Sequence, residues 1–244
     1  MSEITNDAKV AARQRERLFY SGMCLVFGIT VFAGFAKTFF LRPYFHPEPL
    51  VPLLILHGVV FTSWIVLLLI QTTLIAKRQI RIHRRLGVAG ASLATIVVTI
   101  GVITAILRTD LSGPPGSPSP LIFLTIPLGD MLVFGILVGA GFYFRHRPDI
   151  HKRLMILATI ALLPAAVVRL PLRFIFRLNP MAFYGVTDLF ILPCLIYDMA
   201  TRDRPHRATL LGGLLLIISQ PLRFVIGRTH AWLAFATWLI HLIR

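Results

Sequence analysis

Seven long apolar runs joined by short polar links constrain this chain more than any other feature. They occupy residues 19–40, 50–75, 86–107, 121–144, 154–176, 181–199 and 208–226. A helix needs about 20 mostly apolar residues to cross a hydrocarbon core. A backbone in lipid must satisfy its own hydrogen bonds, and a helix does so within a single segment. The runs therefore predict an all-α fold, a polytopic membrane bundle of about seven transmembrane helices. Only 14% of the 244 residues are charged, against about 25% in a soluble domain. The expected organisation is a cytoplasmic segment at 1–18, one transmembrane domain at 19–228 and a terminal segment at 229–244.

The net charge is +15, and its placement matters more than its size. Lys9, Arg13, Arg15 and Arg17 precede the first run. Lys77, Arg78, Arg81, Arg84 and Arg85 separate the second and third. Arg145, Arg147, Lys152 and Arg153 separate the fourth and fifth, and Arg202, Arg204 and Arg207 the sixth and seventh. Sixteen of the 25 basic residues thus fall at alternate links, on one side of the predicted membrane. By the positive-inside rule that side is the cytoplasm, and the N-terminus lies there. The same clusters suit anionic lipid headgroups. No single basic face speaks for nucleic acid. The predicted location is the inner membrane of a bacterium, in a multi-pass arrangement.

The first run is full length and no small-residue cleavage site follows it, so a removable signal peptide is not expected. Cys24 and Cys194 both fall in apolar runs and imply neither a disulfide framework nor a CxxC metal motif.

The tail, Thr229–Arg244, spans about 24 Å as a helix, short for a crossing. His230, Ala234, Thr237, His241 and Arg244 share one face at helical spacing, and Trp232 and Trp238 suit a membrane interface. An amphipathic helix on the outer surface is the expectation, and an eighth crossing the alternative. A weak repeat also runs through the chain. His83-Arg-Arg-Leu-Gly87 and His151-Lys-Arg-Leu-Met155 open two runs, and Pro171-Leu-Arg-Phe174 matches Pro221-Leu-Arg-Phe224 near the ends of two. Helices four–five and six–seven would then be duplicated hairpins; the alternative is convergent use of basic residues at helix ends.

Ionisable side chains at membrane depth are costly, and mark either a functional site or a paired cluster. His57 lies seven residues into its run, about 10 Å deep at the helical rise. Asp130 and Asp188 take similar depths in the fourth and sixth runs. Arg169 and Arg173 lie in the outer part of the fifth, Arg223 in that of the seventh, and Lys37 near the outer end of the first. Different helices thus place polar groups in one outer layer. His57, Phe61, Trp64, Leu68 and Gln71 share a face, as do Arg169, Arg173 and Arg177. Pro171 and Pro221 are expected to break their helices there and free carbonyls, as at cavity linings.

Arginine suits bidentate contact with carboxylate or phosphate. The leading reading is a pocket of His57, Asp130, Asp188, Arg169, Arg173 and Arg223 for a small anionic or quinone-like ligand, with His57 moving a proton. Its structural counterpart is two Asp–Arg pairs, Asp130 and Asp188 with Arg173 and Arg223, that hold the bundle together. A metal held by His57, Asp130 and Asp188 has no diagnostic spacing, because each ligand comes from a different helix.

His83, His151 and His206 form a second group at inner helix starts, beside Arg or Lys. They either sit among headgroups or ligate a haem b, with His83 and His151 as axial ligands if the third and fifth helices are neighbours. His57 lies about 20 Å away across the bilayer. The chain contains no GxxxxGK[ST], HExxH, GxSxG or CxxC, and no lysine in the seventh run for a retinal Schiff base. Nothing in these patterns assigns an enzymatic reaction, a protein partner or an oligomeric state.

The His83–Gly87 and His151–Met155 blocks, with Ser219-Gln-Pro-Leu-Arg223, resemble those of a family of bacterial multi-pass membrane proteins that carries no established activity. The resemblance covers nearly the whole chain. The histidine-plus-basic helix starts are also loosely similar to small b-type cytochrome membrane proteins. Those place haem histidines within helices, in pairs at both faces, whereas here the outer face offers His57 with only His46 or His230 to pair.

Overall fold

The computed structural model describes residues 2–46, 48–109, 119–172 and 182–243. The described residues form helices and connecting turns, with no strand among them. Helix α1 (Ser2–Phe35) continues into a π-helical turn, Ala36–Phe40. The further long elements are α2 (Pro52–Ala76), α3 (Ile80–Leu107), α4 (Pro120–Tyr143), α5 (Pro148–Val167), α6 (Ala182–Arg202), α7 (Arg207–Gly227) and α8 (His230–Ile243). The first seven carry spans long and apolar enough to cross a membrane. The chain is a multi-pass membrane protein.

The helices reach further than the apolar runs at one end. α3 and α5 begin six residues before the third and fifth runs, at Ile80 and Pro148. His83 and His151 therefore occupy first turns of helices. Pro148 supplies a fixed φ where a missing N–H costs nothing. The links at this basic end are tight, and Arg78 and Asp203 take left-handed backbone conformations in two of them.

The fifth helix departs from expectation. Its run extends to residue 176, but α5 ends at Val167. It is also interrupted by a turn at 161–163 ahead of Pro164, whose ring cannot continue the hydrogen-bond ladder. Pro171 therefore lies beyond the helix rather than breaking it. Pro221 sits inside an unbroken α7, so its effect is limited to the missing N–H that Ile217 would otherwise accept.

α5 is the hub. It packs against α1, α4, α6 and α7, and from α2 the Trp64 Nε1–H donates to Thr159 Oγ1 at 3.2 Å. Trp64 also meets Phe134 edge-on at 5.0 Å. α2 and α3 pack together at the periphery, with Val59, Val66, Val88 and Ile96 outward, as lipid-facing helices require. Gly34 of α1 lies so close to α5 that an added Cβ would collide with the Ala166 carbonyl. Such small-residue contacts let membrane helices approach where no hydrophobic force drives them together.

α8 packs against α3, α7 and the start of α4 at the end opposite the basic links. Ala236 and Ile240 are buried with Ile106 and Leu124, and Trp232 Nε1–H donates to the Leu121 carbonyl at 2.8 Å. His230, Thr237 and His241 face outward. At 14 residues it is shorter than the roughly 20 that a crossing takes.

Candidate functional site

The outer layer divides in two. One part joins α4, α6 and α7. Arg223 Nη1 donates to Asp130 Oδ1 and, at 3.0 Å, to the Tyr184 hydroxyl. Its Nη2 reaches Ser219 Oγ at 3.2 Å. Gly129 makes the room, since a Cβ there would strike the Arg223 stem. Asp188 takes no arginine among the described residues: it accepts from Gln220 Nε2 at 2.8 Å. Among the described residues the expected pairs reduce to one ion pair, Asp130–Arg223, and one amide–carboxylate bond, Asp188–Gln220, with Arg173 outside them. The pair is incomplete, because Arg223 Nε is buried without a hydrogen-bond partner among the described residues.

The other part joins α1, α2 and the turns after α5. His57 stacks on Phe61 at 4.1 Å, and its Nδ1 is buried without a hydrogen-bond partner among the described residues. The Arg169 guanidinium lies 4.7 Å from the Phe35 ring centroid, its Nη1 donating to the Ala165 carbonyl one turn back. Among the described residues no carboxylate pairs with Arg169. Arg173 and Arg177 lie outside the described residues. Lys37 rests over Phe45 at 5.5 Å. His57, Asp130 and Asp188 are not assembled as a ligand set, and no three His, Cys, Asp or Glu side chains converge for a metal ion among the described residues.

The basic end holds a cluster that the sequence reading did not single out. Asp198, almost fully buried, accepts four hydrogen bonds. Arg153 Nε donates at 3.0 Å and Nη2 donates to the same oxygen, while the His206 backbone N–H and Thr209 Oγ1 donate to the other at 3.1 and 2.6 Å. Arg153 Nη1 donates to the Asp149 carbonyl at 2.8 Å. Around it, Lys152 pairs with Glu16 at 2.8 Å and Asp149 with Arg202 at 2.9 Å. Arg153 had looked like one more headgroup cation. The available signal was Asp198 itself, an acid at the end of an apolar run and ten residues after Asp188.

His206 caps α7: its Nδ1 accepts the Ala208 N–H at 3.0 Å. Burial first, then the nearby Arg153 and Arg202 charges, hold its pKa below the ordinary histidine value. His83 and His151 are brought together, with ring centroids 6.5 Å apart and planes at 79°. His151 Nδ1 is 2.8 Å from the Gly141 carbonyl.

Comparison with known proteins returns nothing: no family model, curated protein or solved structure matches the chain.

Proposed function

We propose that this multi-pass membrane protein binds a small anionic or quinone-like ligand at the end opposite its basic links, on Arg169 and His57. One observation carries the reading. Arg169 is a guanidinium at the edge of the spans with no paired carboxylate among the described residues; it lies over Phe35, and one turn on Phe39 packs on Gly58, next to His57, whose buried Nδ1 also lacks a hydrogen-bond partner among those residues. Composition strengthens it: no Asp or Glu occurs between Asp149 and Asp188, while Arg169, Arg173 and Arg177 recur every fourth residue. A guanidinium donates to paired oxygens of a carboxylate or phosphate, or to a quinone carbonyl. His57 gives or takes a proton, and Phe35 and Phe61 flank a planar headgroup. Asp130–Arg223 and Asp188–Gln220 fasten α4, α6 and α7 in this reading and stand beside the site.

The charge pattern supports a cytoplasmic N-terminus and basic links in a bacterial inner membrane, with anionic headgroups around Arg84, Arg85 and Arg204 in this reading. The resemblance to bacterial multi-pass proteins agrees with that location.

The test is thermal denaturation of the detergent-purified protein with inorganic phosphate, a short carboxylate and a water-soluble short-chain quinone. At least one probe raises the Tm of the native chain, and Arg169→Ala and His57→Ala lower that affinity by at least about tenfold, or 1.4 kcal/mol. If no probe separates native protein from Arg169→Ala, the reading is wrong.

A further inference from the structure

α2 and α3 run antiparallel and close together, with Gly90 against Leu67 and Gly87 facing the Gln71 amide. On the lipid-facing side of this hairpin lies a groove of about 430 Å³, within the range of about 300–1,000 Å³ that holds small ligands. Val59, Val66 and Ile70 of α2 and Leu86 and Leu93 of α3 line it, and Phe39, whose ring packs on Gly58, lines its far end. Ser63 also borders it, but its hydroxyl donates to the Val59 carbonyl at 2.8 Å and makes no polar demand on an occupant. His57 stands outside the groove, on the face of α2 that carries Phe61 and the buried Trp64.

The depth of the groove points to one leaflet. Its α3 wall runs from Leu86 to Leu93, six and thirteen residues beyond the start of α3 at Ile80. Those positions lie about 9 and 20 Å along the helix. One leaflet contributes about 15 Å to a hydrocarbon core of about 30 Å. The wall thus covers the depth reached by an acyl chain whose headgroup sits at the basic end.

The same end of the hairpin supplies the charge. Val59, Ser63, Val66 and Ile70 recur at helical spacing on one face of α2, and the next positions on that stripe are Thr73 and Lys77. Arg78 follows in the link, and Arg81 and Arg85 occupy the first two turns of α3, Arg85 beside Leu86. All four cations are exposed, and none pairs with an acid among the described residues. The chain has no Asp or Glu between Glu48 and Asp110, so nothing within the hairpin neutralises them. That pattern argues against a second copy of the chain in the groove. A symmetric contact on this face would set the same four cations of each copy against those of the other.

We propose that the α2–α3 hairpin holds one anionic phospholipid of the leaflet at the basic end, its phosphate on Lys77, Arg78, Arg81 and Arg85 and an acyl chain in the groove. Headgroup contact elsewhere at that end needs only charge, whereas this site needs charge and chain together. It does not rest on the ligand proposed at Arg169.

The experiment is native mass spectrometry of the full chain, delipidated in detergent and titrated with phosphatidylglycerol, phosphatidylcholine or chain-free glycerol phosphate. The expected result is one phosphatidylglycerol per chain, bound at least about tenfold more tightly than phosphatidylcholine, with no glycerol phosphate bound at the same concentrations. Joint Arg81→Gln and Arg85→Gln substitution removes the preference for phosphatidylglycerol. Val66→Trp fills the groove and weakens both lipids by about tenfold. Val66 is 47% exposed, so its replacement leaves the core untouched; should that variant aggregate, Ile70→Phe obstructs the same groove and takes its place. Equal affinity for the two lipids overturns the proposal. So does a groove-filled variant that binds phosphatidylglycerol as the native chain does, because headgroup attraction alone then accounts for binding. A native dimer that Val66→Trp dissociates and phosphatidylglycerol leaves intact assigns the groove to a second copy and overturns it as well.

Discussion

Among the described residues each end of the bundle buries one arginine–aspartate pair, and the two are built differently. At the basic end Asp198 takes four donors, two of them from Arg153, and Arg153 spends its remaining reach on the Asp149 carbonyl. At the far end Arg223 divides itself among Asp130, Tyr184 and Ser219, and its Nε finds nothing. In the other part of that end, Arg169 has only the Ala165 carbonyl and His57 Nδ1 has no hydrogen-bond partner among the described residues. The first arrangement is closed, with both carboxylate oxygens in use, and has nothing left to offer another molecule. The second is open. Desolvating a charge is costly unless its hydrogen bonds are made, so an open set of donors at membrane depth is where a ligand adds most. Saturation, rather than the presence of charge, separates fastening from recognition here.

The comparison makes ordered predictions. Asp198→Ala has the largest effect, about 3–5 kcal/mol of lost stability, because it leaves the buried Arg153 guanidinium without its buried carboxylate. Denaturation in detergent measures it; a loss under about 1 kcal/mol would mean that the cluster is not closed. Asp130→Ala costs less, about 1.5–3 kcal/mol, because Arg223 keeps Tyr184 and Ser219. Finding Asp130→Ala the costlier of the two would break the contrast between the ends.

The smallest effect is on pH. The His206 pKa is lowered in the folded chain, so the unfolded chain takes up the proton more readily. That contribution to stability is complete above the unfolded value of about 6.5 and is lost as pH falls through the lower folded value. Its size is about that of one helix cap, 1 kcal/mol or less, since protonating Nδ1 removes the acceptor for the Ala208 N–H. His206→Asn, which caps without titrating, should flatten the stability profile between pH 7 and 5. An unchanged slope would remove His206 from the account.

Much of the far-end layer was legible before any coordinates. His57, Asp130, Asp188 and Arg223 were recognisable because hydrocarbon makes every ionisable group at that depth conspicuous. Arg153 and Asp198 were not, because they lie at run ends, where charges ordinarily face water or headgroups. Only packing against α1 and α7 buries them. The pairing was likewise hidden: Asp130 meets Arg223, but Asp188 meets Gln220, a neutral residue that no charge pattern highlights.

The number of long helices and the end at which basic links gather were determined by sequence alone. Lipid forces each spanning segment to satisfy its own backbone and to be apolar over a set length, and both properties are local. Which helix becomes the hub, which acid meets which base and which histidines face each other were decided only by tertiary structure. Hydrophobic and charge patterns report a residue's depth and face along its own helix. They carry no information about the neighbour that face will meet, which depends on how close small residues such as Gly34 and Gly129 let the helices and their side chains come.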